Sequence, residues 1–229
     1  MRSFLENAFM ISYAVVVVLS IIKYPKYFDT PLRYLPIIFF YTLLTEFLGG
    51  IILFNDNWRF FGNDLLEYYN LVIYNIYAIV FFLFFFYIYY TYLGSTLFRK
   101  FVVIGALLFI AVSLVNPFFQ SFLFTSQTWA YVTGTLVLLV SIGLYFWELR
   151  HVESAPDWRH NLLFWISLSL FIFYAAYLPI EIYRYQNLYQ GGHEPSYVRS
   201  IVHALILLLN ILISVGFLLM KNQPQPIKR

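Results

Sequence analysis

Cysteine is missing from all 229 residues, which excludes disulfides, thiolate metal sites, a cysteine nucleophile and a cysteine-linked lipid anchor. Charge is scarce: 11% of residues carry one, against roughly 25% in an ordinary soluble domain. The net charge of +3 is scattered over predicted loops rather than gathered into a patch, so nothing supports a nucleic-acid partner. H-E-x-x-H, G-x-S-x-G and G-x-x-x-x-G-K-[ST] are all absent. No aspartate falls within an apolar run, which leaves an intramembrane aspartyl protease nothing to work with. The last apolar run has no lysine for a retinal Schiff base, and the histidines at 151, 160, 193 and 203 show no helical metal-ligand spacing. Hence no catalytic residue, metal ligand or cofactor is assigned.

What fills the chain is apolar and aromatic. Hydrophobic residues make up 62% and aromatic ones 23%, with 26 Phe and 21 Tyr, a composition suited to lipid-facing surfaces and interfacial belts. Tyr68–Phe98 is 31 residues long and holds no charge. At ~1.5 Å per residue, about two dozen of these cross a ~30 Å hydrocarbon layer as a helix. The fold expected is all-α, a polytopic transmembrane bundle of seven helices in one membrane domain. The spans are placed at about 8–22, 33–54, 67–93, 100–116, 127–147, 161–184 (or on to Gln190) and 199–220. Residues 221–229 read as a disordered cytoplasmic tail. A signal peptide is the competing reading of the first span, but Lys23, Tyr24, Pro25 and Lys26 follow it instead of a small-residue cleavage site. Asn55-Asp56-Asn57, Gly94-Ser95 and Asn116-Pro117 close spans two, three and four. Glu148, Arg150, Glu153, Asp157 and Arg159 read as a charged loop after span five.

Lys and Arg are biased to one side. Ten (Lys23, Lys26, Arg33, Arg99, Lys100, Arg150, Arg159, Lys221, Lys228, Arg229) oppose four (Arg2, Arg59, Arg184, Arg199). The positive-inside rule then puts the C-terminus in the cytoplasm and the N-terminus outside. Seven crossings satisfy both ends.

An odd count raises a three-plus-one-plus-three parallel repeat with span four as the linker. An offset of 135 carries Glu46 onto Glu181 and Asn75 onto Asn210, with Ile76, Val80 and Phe82 meeting Ile211, Val215 and Phe217. Chance matching of apolar helices is the alternative. A repeat of this kind places a binding site between the halves.

A charge at the bilayer centre costs ~2.5–3.5 kcal/mol on insertion scales, so acids persist there when they face a cavity, a partner or a proton. Glu46 lies near mid-span, and its alternative is a protonated carboxyl bonded to a neighbouring helix. Tyr174, Tyr177, Glu181 and Arg184 recur at three, four and three, so they share one helical face. That face lines a vestibule, or else is an interfacial tyrosine belt with a Glu-Arg pair. Pro179 distorts the helix beside Glu181. Ser200, His203, Asn210 and Ser214 share a face of span seven, and Glu67, Asn70, Tyr74 and Tyr77 one of span three, where Asn75 follows. Asparagine and serine there also serve as interhelical glue, worth ~0.6 kcal/mol each. His203 is either a proton relay with Glu181 or simply hydrogen-bonded. The expected ligand-binding set is Glu46, Asn70, Tyr74, Asn75, Tyr174, Tyr177, Glu181, Arg184, His203 and Asn210, with Glu46 at the floor of an outward-open cavity.

LVIYNIYAIVFF (Leu71–Phe82), after a loop with Trp and Asn, resembles a stretch of uncharacterised bacterial seven-helix membrane proteins. The likeness covers spans two and three and implies a fold and a bacterial inner-membrane address, with no activity. Sugar and vitamin carriers share the three-plus-one-plus-three plan, but none of their motifs occurs here. Three functions fit: a carrier for a small polar solute or ion, a receptor-like sensor with a membrane-protein partner, and a lipid- or isoprenoid-modifying enzyme using Glu46 or Glu181 as general acid. The partners expected are the lipid bilayer, the ligand, and a membrane protein or second copy of the chain.

Overall fold

The computed structural model describes residues 2–54, 66–151, 157–189 and 195–220, with the backbone alone described for 2–7, 50–54, 66–70, 188–189 and 196. Seven α-helices account for most of them: α1 (Arg2–Ile22), α2 (Leu35–Phe54), α3 (Leu66–Tyr92), α4 (Thr96–Val115), α5 (Thr128–His151), α6 (Leu162–Tyr189) and α7 (Ser196–Leu219). Six, α2 to α7, are long and apolar enough to cross a membrane, and the apolar part of α1, Ala8–Ile22, is shorter. The chain is thus an all-helical, multi-pass membrane protein.

Local chemistry sets the helix ends. Before α2, Thr30 Oγ1 accepts the Leu32 N–H at 3.3 Å and Pro31 opens a 3-10 turn that leads into the helix. Asn161 caps α6 through Oδ1, which accepts from Leu163 N at 3.0 Å and Phe164 N at 3.4 Å. α4 stops at Asn116-Pro117, as the proline demands. Three ends differ from expectation, one of them the start of α4, at Thr96 rather than near residue 100. α1 begins at Arg2 rather than near residue 8, and α5 runs to His151, so Glu148 belongs to a helix and not to a charged loop. Glu148 is fully buried because its carboxylate accepts the Gly94 and Ser95 N–H groups, each at 2.7 Å. An anion suits the N-terminus of α4, which Ser95 leaves without a side-chain cap. The expected end of span two at 55–57 and the tail at 221–229 lie outside the described residues.

Six helices close a ring in the order α1, α2, α3, α5, α6, α7, back to α1, while α4 packs outside against α3 and α5. One end of the ring is solid. There Tyr89 pairs with Ser167 across α3 and α6 at 2.8 Å, and Asn161 donates to the Tyr145 hydroxyl at 3.0 Å. Aromatic rings fill the middle, where Phe82 meets Phe109, Tyr131 and Tyr174. Gly134 on α5 admits this cluster, since a Cβ there would sit 2.7 Å from the Phe82 ring. The other end of the ring is hollow.

Candidate functional site

A cavity of about 1290 Å³ occupies the end of the bundle where α1, α3, α5 and α7 begin, with walls from all six ring helices. The segment joining α4 to α5 roofs it. Asn75 ties that roof to α3: its Nδ2 donates to the Phe122 and Thr125 carbonyls at 2.9 and 3.0 Å, and its Oδ1 accepts the Gln127 N–H at 3.2 Å. Asn116 continues the knot, donating to the side-chain carbonyls of Gln120 (2.9 Å) and Gln127 (2.6 Å). Between these amides the chain turns Phe118 and Phe119 outward, 86% and 77% exposed.

Two carboxylates face the space from opposite walls. Glu181, on α6, is buried and well supplied: Ser126 Oγ donates to Oε1 at 2.9 Å and the Tyr177 hydroxyl to Oε2 at 3.2 Å. Arg184 donates to the Tyr177 hydroxyl at 2.7 Å and stands 4.0 Å from Glu181, so the tyrosine oxygen bridges the pair. Pro179, in the turn before, offers no N–H to the Ala175 carbonyl.

Glu46, on α2, is half-buried and differently placed. The Tyr74 hydroxyl donates to its Oε2 at 3.1 Å, and no other hydrogen bond to this carboxyl is found among the described residues. Tyr13 and Tyr77 lie close enough to feel its charge, and Tyr77 shares a hydrogen bond with Thr42 at 3.0 Å. A carboxylate has about four lone-pair sites, so most of the capacity of Glu46 stays open to the cavity.

Nine of the ten residues singled out in the sequence line this one space: Glu46, Tyr74, Asn75, Tyr174, Tyr177, Glu181, Arg184, His203 and Asn210. Asn70 lies in the first turns of α3, where the side chain is not described. Their surroundings differ from one to the next. Asn75 spends three hydrogen-bonding sites on the roof, and buried Asn210 donates to Ser12 Oγ on α1 at 2.8 Å. His203 stacks on Phe9, with ring centroids 4.7 Å apart. Buried Tyr174 belongs to the aromatic floor beside Phe81 and Tyr131. Glu46 is not at the floor, because the cavity continues two helical turns further along α2, to Phe39. His193, with Glu194, lies outside the described residues.

Sequence reasoning missed Tyr13, Thr42, Ser126, Tyr131 and Arg199, all of which line the cavity. Tyr13 sits in a run that reads as uniformly greasy, and Ser126 in a connection with no periodicity to follow. Thr42, four residues before Glu46, and Arg199, four before His203, share faces with residues already singled out, and that spacing was the available signal; Tyr13, Ser126 and Tyr131 carried none.

No family model, no curated protein and no solved structure matches the chain.

Proposed function

We propose that the protein is a seven-span carrier that moves a small polar solute or ion through this cavity, built as a three-plus-one-plus-three parallel repeat. One observation carries the reading. The ring order α1-α2-α3-α5-α6-α7 is unchanged by a half-turn that exchanges α1–α3 with α5–α7, and the cavity lies where the halves meet. That half-turn is the same exchange that carries Glu46 to Glu181 and Asn75 to Asn210. It also fits their bonds: Asn75 on α3 holds the lead-in to α5, and Asn210 on α7 holds Ser12 on α1. Two like halves around a central site suit alternating access by rocking. With the N-terminus outside and the C-terminus in the cytoplasm of a bacterial inner membrane, as the Lys and Arg bias favours, the hollow end faces outward.

The test is uptake into proteoliposomes of the purified protein, screened over small radiolabelled solutes and ions and repeated with Glu46→Gln and Glu181→Gln together. Uptake that the double variant loses, while it still inserts and melts normally, supports the carrier. Full uptake by the double variant overturns it.

A second reading, a receptor-like sensor working through a membrane-protein partner or a second copy, is favoured by a different observation. The solid end is cross-bonded by Tyr89 to Ser167, Asn161 to Tyr145 and Glu148 to the start of α4, which resists opening a path through. Ligand binding without flux would select it.

A further inference from the structure

We propose that the ligand held in the cavity is an organic monocation with an apolar body, such as a protonated arylalkylamine, and that Glu46 is its counter-ion. The proposal rests on the reading that the cavity is a ligand site and adds the chemistry of the ligand.

The charges lining the cavity are not equivalent. Glu181 and Arg184 satisfy each other through Tyr177, so that wall carries little net charge. Arg199 stands in the first turn of α7, at the rim and exposed. Glu46 alone combines an interior position with open acceptor sites: a single tyrosine donor reaches it among the described residues. An ammonium group supplies what that carboxylate lacks, both charge and N–H donors.

Aromatic rings provide the rest. Tyr74 touches the carboxyl, Tyr13 and Tyr77 line the same space, and Phe81, Phe85 and Tyr174 continue the lining. Ring faces are negative, and a cation within ~6 Å of a ring centroid is attracted by ~0.5–2 kcal/mol, more as water is excluded. An anion gains nothing from those faces and is repelled by Glu46. The cavity of about 1290 Å³ exceeds the ~300–1,000 Å³ usual for small-molecule sites, leaving room for an apolar body beyond the charged group.

Three probes of nearly equal size separate charge from shape: 2-phenylethylammonium, 2-phenylethanol and phenylacetate. Each is titrated at neutral pH into the purified full-length protein in lipid nanodiscs, with intrinsic fluorescence as readout. The expected ranking is ammonium at least tenfold tighter than alcohol, with phenylacetate weakest. Glu46→Gln should cut ammonium affinity tenfold or more and leave the alcohol unchanged. The wild-type ranking is decisive even if that variant fails to fold. Tightest binding by phenylacetate, equal binding by all three, or no binding of the ammonium at 10 mM overturns the proposal. Ammonium binding without uptake sinks the carrier reading and leaves this one standing, while uptake of anions alone does the reverse.

Discussion

Asn75 Oδ1 accepts the backbone N–H of Gln127 at 3.2 Å, joining the first half of α3 to the residue that precedes α5. The same side chain gives both its N–H groups to carbonyls of the roof. Asn75→Leu strands two acceptors and one donor, and each buried orphan costs ~1–3 kcal/mol. Asn210→Leu strands no group, since Ser12 Oγ still donates to the Phe9 carbonyl at 2.6 Å and loses only an incoming N–H, so its loss should fall at or below the low end of that range. Reversible unfolding in an SDS titration checks this. Equal destabilisation by the two variants would break the account.

Glu148 is tested at the opposite end. Glu148→Ala removes the acceptor of two N–H groups that start α4, and should cost ~2–4 kcal/mol by the same reasoning, while Glu148→Gln keeps one oxygen and loses about half. Ligand binding at the hollow end should survive Glu148→Gln. A glutamine variant as unstable as the alanine one would mean that charge, not the acceptor, is what matters there.

Two glycines of α5 make a matched pair. A Cβ on Gly134 meets Phe82 at 2.7 Å and Phe109 at 2.9 Å, whereas one on Gly143 meets nothing within 4 Å. Gly134→Ala should destabilise by ~1–3 kcal/mol, the usual cost of overpacking. Gly143→Ala should be neutral or stabilising by up to ~1 kcal/mol, because alanine is the better helix former. Melting temperatures of the two variants decide it.

Asp157 gives the pH prediction. The Arg159 backbone N–H holds its carboxyl below the usual aspartate range, outweighing an opposing desolvation, and the hydrogen bond with His160 adds a lesser pull the same way. A carboxyl lowered on folding stabilises the protein above its unfolded value, ~3.9, and that contribution disappears as pH falls through the folded value. Asp157→Ala should therefore melt below wild type at neutral pH, and the gap should close in the acid range. A gap that widened on acidification would reverse the sign.

The sequence could reveal what lies along one helix and little of what lies between helices. Tyr177, Glu181 and Arg184 were readable as one face because spacings of four and three leave no alternative, and they do meet. α3 was readable because its run is unbroken by charge. The meeting of Glu46 with Tyr74, 28 residues on, was not, since every lateral surface here is apolar and none specifies its neighbour. Glu148 was misread for the opposite reason. Beside Arg150 and His151 it looks like solvent-facing charge, and its partners lie more than 50 residues earlier in the chain. The one hint was the start of α4 after Gly94-Ser95, a helix terminus in need of an anion.

α4 stands outside the ring and buries only Val102 and Phe109. It lies against α3 and α5 from outside and is not a stave of the barrel. Its inner face is fitted, with Phe98, Ala106 and Val112 packed on the core and Gly105 so close to α5 that a Cβ there would meet Val137 at 2.6 Å, while its outer side chains answer to oil. Any greasy residue will serve on the outward face of α4, whereas the staves on either side must match their neighbours tooth for tooth.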